Sequence, residues 1–92
     1  MQDLERINFL IDRAAATLGS DNQLAAALGT SRQVVSNWRH GHKEPGADKQ
    51  AQLAEMAGLD VGFHVTASAV EKTGHAAAIA WLAKRAEDWR KR

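Results

Sequence analysis

Residues 20 to 41, SDNQLAAALGTSRQVVSNWRHG, constrain this chain more than any other stretch, because two short amphipathic segments follow one another across a single glycine turn. Ser20 is placed to cap the first segment, with Gln23 three residues on as in a capping box, and Leu24, Ala25 and Leu28 continue at helical spacing. Gly29 ends that segment. Ser31 then caps a second helix that runs to about Arg39, with Val35 and Trp38 on its inner side and Gly41 closing it. Ala25 has to be small where the two helices cross, and Gly29 supplies the backbone freedom of a tight turn. Leu24, Leu28, Val35 and Trp38 face inward and clamp the second helix to the body. The pair reads as a helix-turn-helix.

The remaining chain is helical in texture and carries one proline. A first helix from about Asp3 to Leu18 aligns Leu4, Ile7, Leu10, Ile11, Ala14 and Leu18 on one stripe and stops at Gly19. After the loop HGHKEPG, a helix from about Ala47 to Ala57 buries Leu53, Ala54 and Met56 and ends at Gly58. From Val61 the pattern is ambiguous. Val61, Phe63, Val65, Ala67 and Ala69 alternate as in a strand, while the Asp60 cap, the alanine content and the span to Gly74 favour a helix, which we adopt. A last helix from about His75 to Lys91 sets Ile79, Leu82, Ala86 and Trp89 on one stripe. The expected fold is all-α and compact, with five or six helices. It forms one domain, 1–92, with a helix-turn-helix core over 1–58 and a helical extension over 59–92.

Composition narrows the classes. With 92 residues, 45% hydrophobic and 25% charged, the chain suits one small globular domain that buries roughly 60 to 65% of its unfolded surface, so a partner subunit would help its stability. It has no cysteine, which excludes disulfides and thiolate metal sites. No apolar run approaches the roughly 20 residues of a membrane span, and the opening MQDLERINFL carries acids where a signal peptide carries a basic head. A cytoplasmic protein is expected. Net charge is +1, but it is unevenly placed: residues 31 to 45 carry +2, from Arg32, Arg39 and Lys43 against Glu44, and residues 72 to 92 carry +4. The cations therefore gather on the second helix of the motif and at the end of the chain.

Position by position, residues 20–60 resemble the lambda-repressor-like helix-turn-helix of the Cro/cI (XRE) family, including Ala25 with Gly29 four residues later and the apolar Val35 and Trp38 beyond it. The wording QLAAALGTSRQVVSNWRHG followed by LAEMAGLD is similar to small phage-encoded or prophage-encoded regulators of that family, and AVEK and AIAWLAK extend a weaker similarity to the end. Thr30 departs from the usual valine or isoleucine, but it is nearly isosteric with valine. The resemblance implies a transcription regulator that binds an operator as a homodimer, with helix 31–39 as the reading helix.

On that helix Arg32, Gln33, Ser36, Asn37 and Arg39 point outward. Arginine can donate two hydrogen bonds to guanine and glutamine can pair with adenine, so Arg32 and Gln33 are the natural base readers, with Ser36 and Asn37 beside them. Phosphate contacts are expected from Asn22 and Gln23 at the start of the preceding helix, from Ser31 and Arg39 at the ends of the reading helix, and from the loop. In that loop the resemblance implies backbone contact for His40, His42 and Lys43. Trp38 is assigned to packing rather than to a base stack.

Ile79, Trp81, Leu82 and Trp89 spread an apolar surface further round the last helix than one packing contact needs, which implies a dimer interface. An enzyme is not expected: there is no glycine-rich phosphate loop or cysteine nucleophile, and His64 or His75 beside scattered serines makes no constellation. His64 reads as a satisfied packing or surface histidine. His40-x-His42 lacks a carboxylate cluster, so no metal and no cofactor is expected. The alternative function is an antitoxin-like module that neutralises a protein partner through its C-terminal part and binds DNA secondarily.

Overall fold

Four helices of this protein begin by one device: a side-chain oxygen at the N-cap accepts the backbone N–H three residues on. Asp3 takes Arg6 N–H at 3.1 Å, Ser20 takes Gln23 at 3.1 Å, Ser31 takes Val34 at 3.2 Å and Asp60 takes Phe63 at 3.0 Å. The computed structural model describes residues 3–85 and 88–90. Its helices are α1 Leu4–Leu18, α2 Asp21–Ala27, α3 Arg32–Arg39, α4 Ala47–Ala57, α5 Val61–Thr73 and α6 Ala76–Ala83, followed by a 3₁₀ turn at Asp88–Arg90. No strand occurs among the described residues, and the all-helical expectation holds.

The core is assembled around α1. Ile7, Leu10, Ile11 and Ala14 meet Leu24, Ala25 and Leu28 of α2, Val35 and Trp38 of α3, and Leu53 and Ala54 of α4. Leu4, placed on the same stripe from the sequence, lies at its open end and is 38% exposed. On α4 it is Gln50 that joins Leu53 and Ala54 in the interior, while Met56 is half-buried. Between α2 and α3, Gly29 adopts φ +69°, and the Thr30 N–H donates to the Ala25 carbonyl at 2.9 Å. A side chain at Gly29 would strain that turn.

The segment after Asp60 is a helix, and the structure explains its strand-like pattern. The buried residues of α5 include His64, Ser68 and Glu71, so much of the face turned inward is polar. Val61 and Val65 are left at the surface. What permits this is Arg6, which is 1% exposed in the midst of the α1 apolar stripe. Its guanidinium donates from Nε and Nη2 to the two Glu71 carboxylate oxygens at 2.8 and 2.9 Å. It also donates from Nη2 to Gln50 Oε1 at 2.7 Å, and Nη1 lies 2.9 Å from His64 Nδ1. Gln50 in turn donates to the Pro45 carbonyl at 2.8 Å and to Ser68 Oγ at 3.2 Å. No buried side-chain nitrogen or oxygen among the described residues lacks a partner.

An arginine only donates, so His64 Nδ1 must accept, and the ring hydrogen resides on Nε2, which donates to the Trp89 carbonyl at 3.0 Å. Burial, aided by the Arg6 charge, pushes the His64 pKa down to about 4. The ring is therefore neutral near pH 7. Of the two places expected for a satisfied His64, packing and surface, it takes the packing one.

Two expectations for the C-terminal region are corrected. The last helix does not run from His75 to Lys91 but ends at Ala83, and the Arg85 N–H closes it on the Leu82 carbonyl at 2.9 Å. The cause is tertiary: Trp89 is drawn back to the body, where its indole meets Phe9 edge-on at 4.9 Å and its carbonyl accepts from His64. A continuous helix would carry that indole away. Trp89 is thus buried and is not part of an outer apolar surface. Ala86, Lys91 and Arg92 lie outside the described residues.

Candidate nucleic-acid interface

Helix α3 is held by its inner side and free on its outer one. Val35 and Trp38 are buried in the core and Val34 packs partly against it. Ser31, Arg32 and Gln33 at the start of the helix are exposed, while Ser36 and Asn37 one turn on are half-buried. Gln33 Nε2 donates to Asn37 Oδ1 at 3.1 Å, so these two amides form one exposed polar ridge. Arg32 and Gln33 are thus the exposed long polar side chains of the first turn of α3. Both side chains are long enough for two-pronged recognition of a base edge.

Flanking residues take several positions. Asn22 and Gln23 are exposed on the first turn of α2, beside the Ser20 cap. After α3 the loop folds back, because the His42 and Lys43 N–H groups both donate to the Asn37 carbonyl, at 2.9 and 3.3 Å. His40, His42 and Lys43 are exposed there, and the two imidazoles stack with centroids 6.0 Å apart and planes 23° from parallel. His40 Nδ1 lies 2.8 Å from the Ser36 carbonyl, which turns this ring toward α3. The groups read from the sequence as phosphate contacts, Arg39 apart, are thus accessible.

Arg39 is the exception and a correction. It does not extend outward to a phosphate but folds back into ion pairs with Asp21 at 2.9 Å and Asp12 at 2.6 Å. The hydrogen bond from Arg39 holds the Asp21 carboxyl below the usual carboxylate range, and the same bond raises the Arg39 pKa further. The sequence offered no local sign of it, since the partners stand on different helices. A second unforeseen contact is Lys49 Nζ, which donates to the Leu28 carbonyl at 2.9 Å and so satisfies the end of α2 from α4.

Helix α6 contributes no buried residue. Ile79 is 49% exposed, while Trp81 is half-buried against Phe63, the rings 6.5 Å apart and 27° from parallel. The Arg85 guanidinium also lies over that indole, 4.3 Å from its centroid. Leu82 is half-buried. Of the four residues assigned to a dimer surface, Ile79, Trp81 and Leu82 are accessible and Trp89 is not.

Among the described residues no helix is long and apolar enough to cross a membrane. Comparison with protein families, with curated proteins and with solved structures gave no match in any of the three.

Proposed function

We propose that this chain is a sequence-specific double-stranded DNA-binding regulator of the Cro or repressor type, which lays α3 in the major groove of an operator. The observation that carries this reading is the division of α3: Val35 and Trp38 are sunk in the core while Arg32 and Gln33 stand exposed at its leading end. A helix placed this way offers its polar side chains to a base edge without unfolding anything. Arg32, Gln33, Ser36 and Asn37 read bases; Asn22, Gln23, Ser31, His40, His42 and Lys43 meet phosphate. A single reading helix spans few base pairs, so the protein acts as a homodimer on half-sites about 10 base pairs apart.

Enrichment of bound sequences from random duplex DNA tests the reading directly, since a reader yields a two-fold sequence motif. A pool that returns without enrichment removes it. One observation favours a second reading, the antitoxin-like module: α6 is uncharged, buries nothing and leaves Ile79 open. On that reading α6 is the surface that captures a protein partner, and DNA binding is secondary.

A further inference from the structure

Arg39 gathers three helices on one side chain. Its Nε and Nη2 donate side by side to Asp21 Oδ2 and Oδ1, both at 2.9 Å, on the first turn of α2. Its Nη1 donates to Asp12 Oδ1 at 2.6 Å and to Asn8 Oδ1 at 3.4 Å, on successive turns of α1. Asn8 completes the circuit, its Nδ2 donating to the Arg39 carbonyl at 3.0 Å and to the Leu4 carbonyl at 3.1 Å. A partly solvated ion pair contributes little stability by itself. A two-pronged guanidinium–carboxylate pair does fix direction, and here the fork is anchored at both ends on helices packed into the core.

The direction matters because of leverage. Arg39 closes α3 and Arg32 opens it, a separation of about 10 Å along the axis at about 1.5 Å per residue. A tilt of about 10° at the Arg39 end shifts the leading turn by about 2 Å, more than a base-edge hydrogen bond tolerates. We propose that Arg39 is a positioning residue for base readout: without touching DNA, it sets the angle at which α3 presents Arg32 and Gln33. This rests on the DNA-reading function above.

The test compares wild type, Arg39→Met and Arg39→Lys on two duplexes, one enriched from the random pool and one of random sequence, at several salt concentrations. For Arg39→Met the enriched-to-random affinity ratio is expected to fall about tenfold or more, the discrimination of one base pair. The dependence on salt should stay as in wild type, because no phosphate contact is lost. Arg39→Lys, which cannot form the two-pronged pair, should not restore the ratio. A log–log salt slope shallower by about 0.9 makes Arg39 a phosphate contact and overturns the proposal. So does an unchanged ratio, or an equal loss on both duplexes by a variant that melts like wild type.

Should Arg39→Met not fold, the Arg39 Nε–H resonance of wild type decides. It is expected to stay bonded to Asp21 when the enriched duplex is added, and coupling to a phosphorus nucleus overturns the proposal. A wild-type protein that enriches no sequence overturns the DNA-reading function together with this role. Failure at Arg39 with enrichment intact removes the role alone.

Discussion

Replacing Glu71 by alanine probes the buried polar network that joins α1, α4 and α5. The Arg6 guanidinium is buried and distributes its donors among Glu71, Gln50 and His64, with Glu71 as the carboxylate that balances its charge. Removing that carboxylate leaves a buried cation with two neutral acceptors, and unpairing a buried ion pair in this way costs about 3–5 kcal/mol. A domain of this length has roughly 5–14 kcal/mol in total, so the loss is a large share of it. Urea unfolding followed by tryptophan fluorescence should show a much lower midpoint with little change in slope. Removing the cation as well, in Arg6→Met/Glu71→Leu, should recover most of the loss, because the uncompensated charge disappears. Recovery should stay incomplete, since Gln50 Oε1 and His64 Nδ1 lose their donor. A Glu71→Ala protein within about 1 kcal/mol of wild type, or a double variant no better than the single one, would refute this reasoning.

Three further outcomes are expected. Trp38→Ala should lose about 3–5 kcal/mol as a core truncation, and Ala25→Leu should force α2 and α3 apart, both read by thermal melting; a Trp38→Ala protein that melts like wild type yet binds no DNA would place the indole on the nucleic acid instead. His64 has its folded pKa lowered to about 4, so the stability it confers is whole above its unfolded value of about 6.5 and is lost as pH falls between the two, about 3 kcal/mol across the window. Urea midpoints from pH 7 to pH 4 should fall more steeply for wild type than for His64→Gln, and equal slopes would contradict the buried neutral ring. The homodimer proposed above should become monomeric with Ile79→Asp in sedimentation at micromolar concentration while the melting of the chain stays unchanged, because Ile79 is already half in water; a variant as dimeric as wild type, or a wild type that is monomeric, would take α6 out of that role. The point variant is a cleaner probe than a chain cut after Thr73, which would also strip the Trp89 carbonyl from His64.

Much of the fold is legible in the sequence because its determinants are local. Ser20, Ser31 and Asp60 cap within three residues, and Gly29 and Gly58 end helices where the apolar period stops. What escapes a sequence reading is set by partners far along the chain. Arg6 and Glu71 are 65 residues apart, and neither residue marks the other. That pair is also why α5 looked strand-like: a helix that buries His64, Ser68 and Glu71 shows little apolar period of its own. The end of α6 escaped for a similar reason, because Ile79, Leu82 and Trp89 fit one stripe and only the pull of Phe9 and His64 on Trp89 breaks it. In the candidate interface, the exposed Arg32 and Gln33 follow from their register against Val35 and Trp38. The retraction of Arg39 does not, since Asp12 and Asp21 reach it from other helices.

Competition titration of Gln33→Ala and Lys43→Ala against wild type, on an enriched duplex and a random one, tests the reading role of α3 most directly. Gln33→Ala should lose on the order of 1–3 kcal/mol on the enriched duplex alone and relax preference at one base pair per half-site. Lys43→Ala should weaken both duplexes about equally. A Gln33→Ala protein that loses affinity equally for both, or for neither, would contradict base readout by this helix.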